Sequence, residues 1–428
     1  MGSNVMMGAT PHFLSLIKER GLLAQSSHED ELAEMLSRGP IDAQGRRYGV
    51  YAGFDPTAKS LHVGHLLVIL GLRRAQDMGL TPIIVFGGAT GMIGDPTGRT
   101  ELRQMNSRET VEGYIENFKM LIGRYFRTDV PNPPVYVNND DWMRGMDWLS
   151  FLRDVGSHFT IARLLAAEVN RSRFEAGGLT FMELGYQLLQ SYDFLVLSRE
   201  HNCVLQVGGN DQWSNILSGA DLIRRVDGRK AFAVTFPLLV GSDGRKYGKT
   251  AGNAVWLDAE MFAPYEFFQF FRNVADADLA MMYRTMTFEP LGDIEARLAP
   301  GVDVNAAKEH LAHVLTAMVH GEPEADKALA AARALFSGGG DLSSAPSTVV
   351  TRAEVEAGLG IVPLLVRAGL CASNGEARKL LQGNGLALNG EKCVDVNLKV
   401  TIGHFENDKG ALVLRKGKKD FHLVKLDG

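Results

Sequence analysis

The chain has 428 residues, 45% hydrophobic and 22% charged, with a formal net charge of −5. That length predicts two or three domains, and the composition is that of a globular protein rather than a disordered or fibrous one. No apolar run reaches the roughly 18 residues of a membrane helix, and the first residues lack the basic and apolar regions of a secretory signal. Cys203, Cys371 and Cys393 are far apart and odd in number. Neither a disulfide framework nor a metal site is therefore expected, and a reducing cytoplasm is the expected compartment. Residues 361–428 carry 11 Lys and Arg against 7 Asp and Glu, and the rest of the chain 34 against 43. A basic tail on an acidic body suits a polyanionic partner, although chance asymmetry gives the same count.

Residues 12–39 read as one or two amphipathic helices, with Leu14, Ile17, Leu32 and Leu36 near a 3.6-residue period. A strand begins at Tyr48 and is expected to break at Gly53 and Asp55-Pro56, where proline removes a donor and fixes φ. An apolar helix then runs through Leu66–Leu72. A strand feeding a tight turn and a helix start is where an α/β protein holds phosphate, because unpaired N–H groups and the positive dipole end point at the ligand. His62 and His65 lie three apart, on one side of the first helical turn. Thr81–Phe86 is a continuous apolar run of the kind found in a covered parallel strand, and a Gly-rich loop from Gly87 to Gly98 follows. These pieces make a βαβ unit, whose ligands bind beyond the carboxyl ends of the strands.

Residues 107–180 read as mostly helical and as an interruption of the α/β alternation. Trp142, Met146, Trp148 and Phe151 make this segment either a packed subdomain or an oligomer interface. Tyr186, Gln190 and Asp193 then fall at i, i+4 and i+7 on a helix otherwise rich in Leu and Phe. Such a stripe lines a pocket or faces solvent, and a solvent stripe is more often Lys and Glu. Val204–Val207 is a strand, and Gly208–Trp213 opens the next helix. Phe236–Val240 is a further strand candidate. Gly248-Lys-Thr250 behind it is not a P-loop, because that motif needs Gly where Asp243 stands. What remains is a Gly-rich loop carrying Lys246 and Lys249. Residues 258–336 look all-helical, and 337–347 have linker composition. A small α+β domain follows. It has a helix over Ile361–Ala368, a capping box at Ser373 and Glu376, and short strands near 387–388, 393–394 and 412–414.

No catalytic triad, metal cluster or close carboxylate pair stands out. Two imidazoles, two loop lysines, the Thr57 hydroxyl and several glycine-backed amides are groups that stabilise charge on a polyphosphate. Phosphoryl and nucleotidyl transfer need mainly positioning and such electrostatic stabilisation. The residues therefore describe an α/β enzyme that binds a nucleotide and holds a small polar or aromatic substrate in a separate pocket.

Tyr51 to His65, with His62-Val-Gly-His65, resembles the first signature of the class I aminoacyl-tRNA synthetases, and Lys246-Tyr-Gly-Lys-Thr250 resembles their second. With Gly94-Asp-Pro96, the Tyr186/Gln190/Asp193 face and Gly209-Asn-Asp-Gln-Trp213, nearly the whole chain is similar to the bacterial-type tyrosyl-tRNA synthetases of that family. The resemblance implies a Rossmann-like parallel-sheet catalytic domain over 1–250, with the helical insertion at about 107–180 as a dimer interface. It implies an α-helical anticodon-side domain over 251–336, a linker over 337–349, and a small ribosomal-protein-like RNA-binding domain over 350–428. The implied reaction joins L-tyrosine to ATP with Mg²⁺, releases pyrophosphate, and passes tyrosine to the 3′-terminal adenosine of tRNA(Tyr). The implied protein is a cytoplasmic homodimer with no tightly bound cofactor and no membrane partner.

Site residues follow from the same resemblance. Tyr51 and Asp193 would hold the phenol. Asp95, Tyr186 and Gln190 would meet the ammonium, with Gln212 near the carboxylate. ATP would lie along Gly53, Asp55, Gly209 and Asp211, with Asp55 also near the ammonium and Asp211 at the ribose. Thr57, His62 and His65 would touch the phosphates, and Lys246, Lys249 and Thr250 would clamp the pyrophosphate. Arg99 and Arg103 would be loop cations; relatives often have Lys at the first, and Arg keeps the charge but changes the geometry. Val63 and Ala52 are mild departures from the family pattern. Arg378, Lys379, Lys416, Lys418 and Lys419 would face tRNA phosphate, or form an ordinary solvated face. Tryptophanyl enzymes share the fold and are the nearest alternative; a non-catalytic RNA-binding paralogue is the other.

Overall fold

The structure is a computed structural model and describes residues 11–95, 106–166, 168–250, 253–337, 347–407, 410–417 and 420–427. The chain divides into two compact units. The first is Met1–Met261 with Ala280–Ile294, and the second is Phe262–Leu279 with Glu295–Gly428.

In the first unit α1 (Phe13–Glu19) is followed by β1 (Gln25–Ser26) and α2 (Glu29–Ser37). Next come β2 (Gly49–Phe54), α3 (Val63–Asp77), β3 (Thr81–Phe86), α4 (Thr90–Ile93), α5 (Arg108–Gly123) and β4 (Val135–Asn138). The insertion contains α6 (Asp140–Met143), α7 (Trp148–Asp154), α8 (Ile161–Leu164) and α9 (Glu168–Glu175). Then α10 (Phe181–Glu200), β5 (Cys203–Gly209), α11 (Trp213–Asp227) and β6 (Phe232–Phe236) complete the sheet, and β7 (Lys249–Thr250) and β8 (Asn253–Ala254) form a short hairpin. Strand order in the sheet is β1-β6-β5-β2-β3-β4, parallel throughout except for β1. Helices cover both faces, so the inner strands are buried on both sides. That is why Ile83–Phe86 is a continuous apolar run rather than an alternating one, and why Val204–Val207 is apolar except for the buried Gln206.

Three expectations about strands need correction. β2 does not break at Gly53: its ladder to β3 continues through Gly53↔Val85 and Phe54↔Phe86, and the chain turns only at Asp55-Pro56. Segment 107–180 is not wholly outside the α/β alternation, since α5 and β4 form a second βαβ unit whose strand pairs in parallel with β3. β4 has only four residues and follows Pro131-Asn-Pro-Pro134, which reads as loop; prolines are tolerated there because β4 is an edge strand. The last strand is Phe232–Phe236 rather than Phe236–Val240. Pro237 has no N–H with which to continue the ladder, so the pairing stops in front of it.

α3 packs closely on the sheet at Gly71, where an added Cβ would overlap the ring of Phe236. One turn on, Arg74 is 1% exposed. Its Nη2 donates to Thr287 O at 2.6 Å, and the guanidinium lies 4.8 Å from the Phe288 ring centre. Arg20 donates to Arg284 O at 3.2 Å. Two cations thus hold the returning Ala280–Ile294 segment through its carbonyls. Burial, and then the charge of Arg20, depress Arg74 to about 9.

Further helices are α12 (Pro264–Arg272), α13 (Leu279–Met286), α14 (Leu291–Arg297), α15 (Val304–His320) and α16 (Glu322–Ser337). In the second unit α12 packs against α15 and α16. The C-terminal part contains β9 (Ser347–Thr351), α17 (Arg352–Glu356), α18 (Ile361–Arg367) and α19 (Asn374–Gln382). It ends with β10 (Leu386–Leu388), β11 (Glu391–Cys393), β12 (Ala411–Lys416) and β13 (Asp420–Asp427). These strands form one sheet, β11-β10-β12-β13-β9, over a core that includes Ile361, Leu365, Leu381, Leu412 and Val424. Only half of the capping box on α19 forms as expected. Ser373 Oγ accepts the Glu376 N–H at 3.2 Å, but the Glu376 carboxylate accepts from Ala372 N–H at 2.8 Å, one residue earlier.

Gly71→Ala is expected to destabilise the fold by about 1–3 kcal/mol through overpacking against Phe236. The urea midpoint should fall; an unchanged midpoint would show that the ring moves aside without cost.

Candidate functional site

In the chain, β2, β3 and β4 build the sheet outward in one direction, and β5 and β6 build it in the other. The order reverses between β2 and β5, and the divergence of the segments leaving their carboxyl ends opens a crevice there. A cavity of about 850 Å³ occupies it, lined by β2, β5, α3, α10 and the segment after β6. That volume suits a nucleotide and a small second substrate together.

One end is built by the start of α3. His62 is its N-cap, and His62 Nδ1 accepts the Gly64 N–H at 3.0 Å while His65 Nδ1 accepts the His62 N–H at 3.2 Å. The two rings stack with centroids 3.9 Å apart. An Nδ1 that accepts carries no proton, so each neutral ring has its proton on Nε2. The turn therefore offers two imidazole N–H donors beside a helix N-terminus, a setting for anionic oxygen. The lysine loop is tied to the same place. Val63 N donates to Val255 O at 3.0 Å, and Val255 N to Gly248 O at 2.9 Å. Gly248 takes φ +99°, which glycine adopts without strain. Lys246 is exposed, lines the cavity, and opposes the upward shift that burial imposes on Asp211.

The other end is built by α10. Tyr186 OH donates to Asp55 Oδ2 at 2.8 Å, and Thr90 Oγ1 donates to Asp55 Oδ1 at 2.8 Å. Asn139 Nδ2 donates to Thr90 Oγ1 at 2.9 Å and to Asp193 Oδ2 at 3.1 Å, and Trp142 Nε1 donates to Asp193 Oδ1 at 2.9 Å. Asp193 is 5% exposed. Burial pushes its carboxyl up to about 7; the Asn139 and Trp142 donors work against that rise and the charge of Asp55 adds to it. The Tyr51 phenol is raised by burial and then by Asp193, and the Tyr186 phenol by burial and then by Asp55. Closer to the mouth, Gln212 Nε2 donates to Asp95 Oδ2 at 2.6 Å.

Three buried polar atoms in this cavity have no hydrogen-bond partner among the described residues: Tyr51 OH, Gln190 Oε1 and Gln206 Oε1. Tyr51 and Gln206 are register partners on adjacent strands. Buried polar atoms are rarely left unpaired, so a group of three points to a ligand that supplies the partners.

The structure thus gathers Tyr51, Gly53, Asp55, Thr57, His62, His65, Asp95, Tyr186, Gln190, Asp193, Gly209, Asp211, Gln212 and Lys246 around one cavity. A Cβ on Gly53 would enter open space, and one on Gly209 would lie 2.6 Å from Asp211 Oδ1. The side chains of Lys249 and Thr250 lie outside the described residues, as do Arg99, Arg103, Lys418 and Lys419. Arg378 and Lys379 are exposed on α19. Lys416 differs from expectation: its Nζ donates to Leu370 O at 2.6 Å and to Glu376 Oε1 at 2.9 Å, an internal tie rather than an outward cation. Thr90, Asn139, Trp142 and Gln206 are site residues that sequence reasoning missed. The Asn138-Asn139 pair is legible only once Val135–Asn138 is known to be a strand ending at the cavity. Among the described residues, the group that a metal ion could touch is His313, Glu322 and Asp326 in the second unit, where His313 Nε2 lies 2.8 Å from Asp326 Oδ1, within hydrogen-bond distance.

Comparison with known proteins agrees with this geometry. Residues 43–337 match the family model for class I tRNA synthetases (W and Y), and residues 341–424 match that for the SYY-like C-terminal domain of tyrosine–tRNA ligase. The tyrosine–tRNA ligase of Clostridium kluyveri is 43% identical over 411 residues, covering 96% of this chain and 98% of that protein. The Clostridium botulinum ligase is 44% identical over 412 residues, with the same coverage. A C-terminally truncated mitochondrial tyrosyl-tRNA synthetase from Aspergillus nidulans superposes with a TM-score of 0.67 at 29% identity, covering 77% of this chain and 95% of that one. The parallel sheet, its crevice and both matches lead to one assignment: the chain belongs to the class I tRNA synthetases of the W and Y type, and its full-length relatives there are tyrosine–tRNA ligases.

Proposed function

We propose that the chain is a tyrosine–tRNA ligase, which activates L-tyrosine with ATP and then charges the 3′-terminal adenosine of tRNA(Tyr). The observation that carries the choice of amino acid is the unpaired set Tyr51 OH, Gln190 Oε1 and Gln206 Oε1 in a cavity that Asp193 also lines. A tyrosine there would give its phenol to Asp193 and Tyr51, and its ammonium to Gln190, Tyr186 and Asp95. Gln212 would lie near its carboxylate. Asp55 would act partly at one remove, because its two oxygens accept from Tyr186 and Thr90 and so fix the Tyr186 phenol.

ATP, arriving with Mg²⁺, would lie over Gly53 and Gly209, with its ribose at Asp211. A tyrosine carboxylate oxygen attacks the α-phosphorus, the bond to the β-phosphate oxygen breaks, and pyrophosphate leaves. Thr57, His62, His65, Lys246, Lys249 and Thr250 would stabilise the charge that develops on the phosphates, with Arg99 and Arg103 as further cations. A ribose hydroxyl of the tRNA terminus then attacks the tyrosyl carbonyl and AMP leaves.

The domain reading is a catalytic region, an α-helical anticodon-side region and a C-terminal RNA-binding domain, on which exposed Arg378 and Lys379 suit tRNA phosphate. A homodimer through the insertion is supported by Leu149 at 72% exposure and Phe181 at 69%, with Trp148, Ile161 and Phe174 also exposed. The Trp148 and Phe181 rings are 6.0 Å apart. No described helix is long and apolar enough to cross a membrane, and the cytoplasm, where tRNA is charged, is the proposed compartment.

ATP–pyrophosphate exchange measured with each amino acid tests the reading. Exchange is expected with tyrosine. Exchange driven by tryptophan instead would overturn the choice of amino acid, and none with any amino acid would favour an RNA-binding paralogue. Lys246→Ala should lower kcat by about 10²–10³-fold, as for loss of one preorganised donor; a change confined to the tyrosine KM would contradict its role. Removing residues 350–428 should spare adenylate formation and damage tRNA charging, and equal loss of both would make that domain structural. Phe181→Glu should give a monomer by light scattering, whereas an intact dimer would place the interface elsewhere.

A further inference from the structure

At the phenol end of the cavity the buried Asp193 carboxylate is held by neutral donors. Among the described residues, the ionisable groups acting on Asp193 and on the Tyr51 phenol are each other, Asp55 of the turn after β2 and Cys203 of β5, while the cations Arg199 and Arg229 act one step further out, on Tyr192 and Cys203. None of the groups acting directly on Asp193 or Tyr51 is a cation. The donors that the two Asp193 oxygens accept from, Asn139 and Trp142, are neutral as well. Lys246 acts on Asp211 instead. With Asp193 5% and Tyr51 1% exposed, little water screens a charge placed between them.

An ionised carboxylate can only accept a hydrogen bond. A neutral phenol can donate to it, but a phenolate has no hydrogen to donate and brings a second negative charge into the same buried volume. We propose that this end of the cavity admits one negative charge, shared between Asp193 and the substrate phenol, so that a tyrosine analogue with an ionised phenol binds only by taking up one proton. The inference rests on the reading of Tyr51 and Asp193 as the phenol-binding pair. The proton count is the same whether it resides on the phenol oxygen or on an Asp193 oxygen. Burial, the largest cause of the upward shift of Asp193 to about 7, penalises a second charge there in the same way. Tyrosine, with a phenol that titrates near 10, is neutral across the working range and escapes the penalty. Tyrosines carrying electron-withdrawing ring substituents do not, so the site selects by ionisation state as well as by shape.

Ring-fluorinated tyrosines test this with the full-length protein, because fluorine is little larger than hydrogen and makes the phenol more acidic. The kcat/KM for pyrophosphate exchange is measured against pH for tyrosine and for an analogue whose phenol titrates inside the range. The ratio of analogue to tyrosine is expected to be flat below the analogue's phenol pKa and to fall tenfold per pH unit above it. A steric effect of fluorine lowers both limbs equally and leaves the break in place. Calorimetry in buffers of different ionisation enthalpy, above that pKa, should show one more proton taken up with the analogue than with tyrosine. A ratio that stays flat through the phenol titration, or equal proton counts, overturns the proposal. Failure of tyrosine itself to support exchange would strike the functional reading instead. Asp193→Asn removes the competing charge and should abolish the break, so a break retained in that variant excludes Asp193 as its source.

Discussion

Strand β2 is flanked by β3 on one side and β5 on the other, and that position constrains everything around it. In a parallel sheet each strand must be followed by a crossover, so the chain leaves every strand at the same edge. The turn after β2, the Gly-rich segment after β3, the Asn138-Asn139 pair after β4 and the short helix Asn210–Gln212 after β5 all emerge there. Because the sheet grows both ways from β2, its exit stands at the centre of the crevice. Tyr51 lies within the strand and is buried, while Thr57 and the two histidines lie beyond it and meet the opposite end of the cavity. In the proposed reading one continuous stretch of chain would reach both substrates, with their relative placement set by a strand rather than by a loop.

That geometry brings four carboxylates, Asp55, Asp95, Asp193 and Asp211, to one cavity. It is tolerable because hydrogen bonds are distributed among them. Asn139 links the Asp55 and Asp193 branches by donating to both Thr90 and Asp193, and Tyr186, Trp142 and Gln212 supply further donors. The network satisfies the acids but leaves Tyr51, Gln190 and Gln206 unsatisfied. Each such buried group costs about 1–3 kcal/mol when unpaired. A ligand that pairs them recovers that cost, and one lacking the phenol hydroxyl does not. On the proposed roles, specificity for a hydroxylated ring would be held as instability of the empty site.

Much of this was legible in the sequence, for identifiable reasons. Thr81–Phe86 is read correctly because a strand buried on both faces has no choice but a continuous apolar run. Tyr186, Gln190 and Asp193 are read correctly because helical period alone places them together. The start of α3 is marked by two histidines whose backbone-capping role is local. What was missed depends on tertiary partners. β4 is short, proline-flanked and stable only because β3 is beside it, so its following asparagines look like loop residues. Gln206 sits in a strand whose other residues are apolar, and nothing local distinguishes a core glutamine from one facing a cavity. Lys416 looks like any basic tail residue until the sheet carries it next to Glu376 and the Leu370 carbonyl. Phe232–Phe236 was displaced by four residues because the proline that ends it was read as part of the strand.

The two ends of the cavity are also built with different stiffness, and this fits what each must do. The phenol end is locked by side chains from the turn after β2, from α4, from the β4–α6 junction and from α10, each holding another. The proposed phosphate end would rely on Lys246, an exposed side chain on a loop whose backbone is anchored to α3 by the Val63–Val255 and Val255–Gly248 bonds. Discrimination between amino acids is a difference in binding that must exist before reaction, and rigid walls supply it best. Stabilisation of the transition state requires contacts that strengthen only as charge moves onto the leaving pyrophosphate, because contacts equally strong in the ground state do not raise kcat. A cation on a tethered loop can be drawn in by that charge, whereas a cation fixed in the wall would bind ATP and the transition state alike. On the proposed roles the same cavity would be selective at one end and catalytic at the other, because the groups proposed for selection are fixed by side-chain packing and the cation proposed for catalysis is not.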